Sequence, residues 1–183
     1  MPCNKRIRPM AQISAAKTPT LIVGYGSPIR GDDAIGPLVA DRLAAMVADG
    51  ALPAGVEVQA RHILTAELVE DLNRADLVIF LDAAADLAPG LVSRRALQPD
   101  ATAMSTMAHF HDPRELLAWC EALYGSAPET WLVSAGGAEW GYASYTLSAV
   151  AQAAVEAMIA EVVALLGGPK TAAPAATIPG HIS

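Results

Sequence analysis

Leu21-Ile22-Val23-Gly24-Tyr25-Gly26-Ser27-Pro28-Ile29-Arg30-Gly31-Asp32-Asp33-Ala34-Ile35-Gly36 reads as a short apolar strand, a glycine-rich turn and the start of a helix. Ile35, Val39, Leu43 and Met46 then fall on one helical face, with Asp41 and Arg42 turned elsewhere. In sheets built from such units, ligands bind beyond the carboxyl ends of the strands. Gly24, Gly26 and Gly31 let the backbone turn sharply and let another chain approach closely. A dinucleotide fingerprint fails here twice. Ile29 stands where the third glycine belongs, and the second strand ends in Gln59, Ala60 and Arg61 rather than in an acid for a ribose. A P-loop fails as well, because no Gly-Lys-Ser/Thr follows Gly31 and two carboxylates at a helix start repel a phosphate. The same carboxylates suit a cation, since a reference pKa of about 3.9 leaves Asp32 and Asp33 ionised at neutral pH. Either could instead cap the helix, so adjacent acids are expected to divide the two jobs.

Outward from this stretch, strand-like runs alternate with helical patterns. Val56–Gln59 is a second strand, 66–73 a short helix, and Leu77–Leu81 an apolar run of the kind a central strand buried on both faces requires. Leu91–Leu97 follows too soon for a helical crossover, which predicts an antiparallel strand or a hairpin-like excursion. Asp112, Pro113 and Glu115 open a helix over 112–124 with a capping box. Thr130–Ser134 is the last strand, and Leu147, Ala151, Val155, Ile159, Val162 and Leu166 mark one face of a closing helix. The order β-α-β-α-β-β-α-β-α implies an α/β fold, a three-layer α/β/α sandwich over a mostly parallel sheet with one antiparallel strand.

Composition agrees with one such domain. The chain has 183 residues, 53% of them hydrophobic and 17% charged, which excludes whole-chain disorder. A net charge of −7 argues against phosphate-driven nucleic-acid binding. No uncharged apolar stretch reaches the ~18–20 residues that cross a bilayer. Cys3 and Cys120 form neither a disulfide framework nor a CxxC zinc motif, and Lys5, Arg6, Arg8 and Lys17 precede no apolar signal core. A cytoplasmic monomer is expected, with a flexible N-terminal segment over 1–18, a domain over 19–167 and a flexible tail over 168–183.

Asp82 closes the central apolar run, where a buried charge needs a partner or an ion. Asp86 lies in the following connection and is a weaker candidate. His109 and His111 precede the helix capped by Asp112 and share a side if the segment is extended. His62 and His181 read as incidental. Two carboxylates and a neutral imidazole suit middle and late first-row divalent metals, nickel and zinc alike, better than magnesium or calcium.

At this point the chain resembles the [NiFe] hydrogenase maturation proteases. Gly24 through Gly36 is similar to that family's GxGNxLxxD[DE]GxG, with Ser27 and Ala34 in place of its Asn and Gly. Leu81-Asp82-Ala83 looks like its LDA, Ala108–Pro113 like its histidine before a helix, and Leu132–Gly141 with Leu147-Ser148 like its closing strand, loop and helix start. The resemblance spans residues 20–166 in order. It implies a five-stranded sheet and carries three metal-binding positions onto Asp33, Asp82 and His109, with Asp32 and His111 as weaker alternatives. His109 is favoured because the family's histidine lies eight residues before a helix leucine, here Leu117.

The implied activity is that of an aspartic-type endopeptidase that removes the C-terminal extension of a hydrogenase large-subunit precursor. Nickel is supplied by that precursor, and Gly24, Gly26 and Gly31 accommodate its tail. Ser27 lacks a G-x-S-x-G frame and neither cysteine lies near a strand end, so no covalent nucleophile stands out. A noncatalytic metal-binding assembly chaperone and a small-substrate metallohydrolase remain the competing readings.

Overall fold

A computed structural model describes residues 18–103, 109–110 and 112–167. His111, Cys3, His181, the segment 1–17 and the tail 168–183 lie outside the described residues. The elements are β1 (Thr18–Tyr25), α1 (Ile35–Ala48), β2 (Val56–Arg61), β3 (Leu64–Thr65), α2 (Leu68–Arg74), β4 (Ala75–Ala84), β5 (Val92–Leu97), β6 (His109–Phe110), α3 (Pro113–Tyr124), β7 (Glu129–Gly136) and α4 (Ala149–Gly167).

Five strands form one sheet in the order β2-β1-β4-β7-β5, parallel except for β5, which runs antiparallel to β7. The expected antiparallel strand is therefore present, but it skips its chain neighbour β4. Its connection passes the carboxyl end of β7, where Gly90 N–H donates to the Gly136 carbonyl at 2.8 Å and Gly136 N–H to that of Leu91 at 2.9 Å. A second, two-residue ladder pairs Leu64 with Phe110 and Thr65 with His109. A strand this short carries no periodicity, and the sequence pattern does not show it.

Alternation along the strands sends side chains to two cores. On one face Ile22, Ile79, Leu81 and Val133 pack with Ile35, Val39 and Leu43 of α1 and Val155, Met158 and Val162 of α4. On the other, Leu21, Val23, Val78 and Phe80 pack with Leu68 and Leu72 of α2 and Leu116, Leu117 and Cys120 of α3. β4 buries both faces, as its apolar run requires. Helix α4, with 19 residues and a mean hydropathy of 1.8, is long and apolar enough to cross a bilayer. In this fold it lies against the sheet, and its Glu156 and Glu161 pair with Arg42 and Arg94.

The approach of β1 to α1 is close because both sides are glycine. A Cβ on Gly24 would stand 2.2 Å from the Gly36 carbonyl oxygen and 2.7 Å from Ala40 Cβ. Gly24→Ala is expected to lower the unfolding free energy by at least about 1–3 kcal/mol, the usual cost of overpacking. Gly141→Ala, with nothing within 4 Å, serves as the near-neutral control in chemical denaturation.

Candidate functional site

The glycine-rich turn ends in a 3-10 turn over Gly31–Ala34 that holds Asp32 completely buried. Its carboxylate accepts from Ser148 N–H at 2.6 Å, Ser148 Oγ at 2.7 Å, Ala138 N–H at 2.7 Å and Glu139 N–H at 3.0 Å. Burial pushes the carboxyl up, but these four donors outweigh it and hold Asp32 below the ordinary range. Ser148 Oγ also accepts from Ala151 N–H at 3.2 Å, capping α4. Asp32 thus serves as a clasp between the turn and the loop after β7. The expectation of Asp32 as an alternative metal ligand is corrected on this ground: four donors use the acceptor sites an ion would need.

The glycines themselves meet the chain's own backbone. Gly26 has φ +141°, and a Cβ there would lie 1.9 Å from the Asp33 carbonyl oxygen; one on Gly31 would lie 2.5 Å from that of Glu139. At Gly24, Gly26 and Gly31 the lack of a Cβ therefore lets the chain's own backbone pack closely.

Asp33, half-buried, stands on the other side of the turn and accepts Ser27 N–H at 2.9 Å. Across from it, at the carboxyl end of β4, Asp82 accepts Ala83 N–H at 2.8 Å and a hydrogen bond from the Tyr25 hydroxyl. Burial pushes the Asp82 carboxyl up to about 7, and the charge of Asp33 adds to the rise. The hydrogen bonds from Tyr25 and Ala83 and the charge of Arg95 oppose it. Tyr25 is buried, meets Phe80 edge to face at 6.1 Å, and is held protonated by its own burial and by Asp82. The structure thus places Asp33 and Asp82 within mutual electrostatic reach at one sheet edge.

His109 lies in β6, paired with Thr65 just beyond the carboxyl end of β2. That end is joined to the turn by Gly26 N–H donating to the Arg61 carbonyl at 3.2 Å. Asp112, three residues on, caps α3 through Arg114 N–H at 2.9 Å, and its charge is felt by Tyr25. The backbone therefore delivers the His109 segment to the same edge. Among the described residues, no group of three or more His, Cys, Asp or Glu forms a metal-binding cluster. His62 is exposed, and Cys120 is buried with its thiol pushed up to about 11, which suits packing rather than nucleophilic attack.

Two participants were not singled out from the sequence. Tyr25 reads as a turn residue until the sheet sets it beside Asp82. Arg95 reads as one of two basic residues on an edge strand. Both line up only once strand order and register are known.

The sign of the Asp82 shift sets a pH dependence. A carboxyl whose pKa is raised on folding stabilises the fold fully below about pH 4, the unfolded value, and loses that contribution as pH rises through about 7. Asp32 has the opposite sign, its contribution present above about pH 4 and lost as acid protonates it. Thermal melts should therefore fall between pH 5 and pH 8, and Asp82→Asn should flatten that decline and melt above the wild type at pH 8.

No family model matches the chain, and no curated protein matches it. Solved structures do. A hydrogenase 2 maturation peptidase from Thaumarchaeota archaeon SCGC_AB-539-E09 is 28% identical with a TM-score of 0.61, over 81% of this chain and 98% of that one. The Escherichia coli hydrogenase maturating endopeptidase HybD is 22% identical with a TM-score of 0.64, over 81% and 91%. The [NiFe] hydrogenase maturation protease HycI from Thermococcus kodakarensis is 23% identical with a TM-score of 0.59, over 82% and 93%. The last two likenesses show the fold, and the first extends to sequence. The chain has the fold of the hydrogenase maturation proteases, and its resemblance to that family holds in structure as well as in its motifs.

Proposed function

We propose that this chain is a hydrogenase maturation endopeptidase, which hydrolyses one peptide bond to release the C-terminal extension of a nickel-loaded [NiFe] hydrogenase large-subunit precursor. The observation that supports it best is the pair Asp33 and Asp82, two carboxylates held close enough at one sheet edge for the charge of Asp33 to oppose the ionisation of Asp82. Such a pair is relieved by a divalent ion, and an ion carried by the substrate relieves it only while that substrate is bound. Asp33, Asp82 and His109 are the residues that contact the nickel. The Tyr25 hydroxyl, hydrogen-bonded to Asp82, fixes the orientation of that carboxyl. The likeness to the thaumarchaeal peptidase supports the reaction class. A monomer acting in the cytoplasm belongs to the same reading.

The test is a mass measurement on nickel-loaded and nickel-free precursor after incubation with the full chain. Only the loaded form should lose its extension. Equal trimming of both forms overturns the nickel requirement, and an unchanged mass in both points to a noncatalytic chaperone. Stoichiometric zinc in the purified protein, with activity on small substrates, points instead to a resident-metal hydrolase. Asp33→Asn and Asp82→Asn should each slow trimming by about 100-fold or more while leaving the far-UV circular dichroism unchanged.

A further inference from the structure

A cleft of about 280 Å³ opens beside Asp82 on the face opposite α1 and α4, lined by Asp86, Leu87, Ser93, Arg95, Leu132 and Ser134 among others. Its floor follows from register. Asp82 of β4 lies opposite Ser134 of β7, and Ser134 opposite Ser93 of β5. Paired residues point to the same side of a sheet, so one carboxylate and two hydroxyls form a row across three strands. Arg95, two residues along β5 from Ser93, returns to that same side.

The neighbouring arginine shows what a committed side chain looks like here. Arg94 points to the opposite face, pairs with Glu161 at 3.2 Å and lies over the Trp131 ring at 5.5 Å. Among the described residues, Arg95 makes no hydrogen bond or close ion pair, though its charge reaches Asp82, Tyr25 and Asp112. Its planar fork of five N–H donors faces the cleft it lines.

The charges around the cleft choose that ligand. An anion would meet Asp82 and Asp86, and a cation would meet Arg95. A neutral group that both accepts and donates suits all three, and the peptide unit is that group: its carbonyl oxygen accepts from Arg95 while an N–H donates to a carboxylate. We propose that Arg95, Ser93 and Ser134 form a peptide-backbone subsite beside Asp82, in which Arg95 positions the substrate by donating to a carbonyl oxygen next to the scissile bond. This assignment rests on the endopeptidase reading above and names the surface over which its substrate runs.

Arg95 is exposed on an edge strand, so Arg95→Met should fold and melt like the wild type. In trimming of the nickel-loaded precursor, Arg95→Met should raise KM by about 10-fold with a smaller change in kcat, the mark of lost substrate positioning. Arg95→Lys, which keeps the charge but not the fork, should recover part of that loss, and Ser93→Ala with Ser134→Ala should raise KM further. A second measurement needs no turnover: a synthetic peptide of the precursor extension, blocked at both ends, is titrated while the backbone amides are followed by NMR. Amides of 92–97 and 132–135 should shift in the wild type and stay still in Arg95→Met. A KM within twofold of wild type in Arg95→Met, or amide shifts unchanged by the substitution, overturns the subsite. Absence of trimming by the wild type overturns the endopeptidase reading instead, and the peptide titration still decides the subsite.

Discussion

A carboxylate with no solvent exposure would normally be neutralised or excluded from a core, because an unpaired buried charge costs many kcal/mol. Asp32 persists as an anion because three backbone N–H groups and one hydroxyl converge on it. Each such charge-assisted bond contributes roughly 1.5–3 kcal/mol, so the four together can offset its desolvation. The donors come from residues more than one hundred positions away in the chain. One side chain thereby fixes the exit of β1, the loop after β7 and the first turn of α4. In the same loop Ala143 takes φ +59°, a conformation that costs a non-glycine residue about 1–2 kcal/mol, next to Ser144, which pairs with Ile29 and Gly31 through its backbone.

Asp33 inherits its position from this clasp. With Asp32 turned inward, the next side chain points the other way, toward the carboxyl end of β4. There the electrostatics reverse. Asp32 is oversupplied with donors and sits below the ordinary carboxyl range, whereas Asp82 is undersupplied, faces a second carboxylate and sits above it. Adjacent acids in one motif therefore do opposite work: one holds the backbone and the other leaves charge uncompensated where a ligand can meet it.

The parts of this arrangement that were legible in advance are those with a local signature. The two-sided apolar run of β4, the α1 face and the Asp112 cap each follow from side-chain spacing, and all are found. The expected helix cap is not found, since neither Asp32 nor Asp33 caps α1. Asp32 instead accepts from distant donors, and backbone N–H groups such as those of Ala138 and Glu139 have no side-chain letter to announce them. The pairing of β5 with β7 rather than β4 depends on a connection folding over a strand end, which no periodicity encodes. A lack of Cβ suits close approach by a partner chain or by this chain alike, and at Gly24, Gly26 and Gly31 this chain's own backbone lies where a Cβ would stand. The roles of Tyr25 and Arg95 waited on register for a similar reason, since neither is near Asp82 in sequence.

Stability and metal affinity pull against each other at this edge, and that tension bears on where an ion comes from. Asp33 already accepts Ser27 N–H, and Asp82 already accepts Ala83 N–H and the Tyr25 hydroxyl. An arriving cation must share those oxygens with donors, and near neutral pH it must also compete with the proton that Asp82 retains. Closed, tightly held metal sites use about four ligands with few competing partners. Two part-occupied carboxylates are suited instead to completing the coordination of an ion that brings ligands of its own. Under the proposed function those ligands belong to the precursor, and a pair that completes the coordination of an ion responds to a loaded precursor.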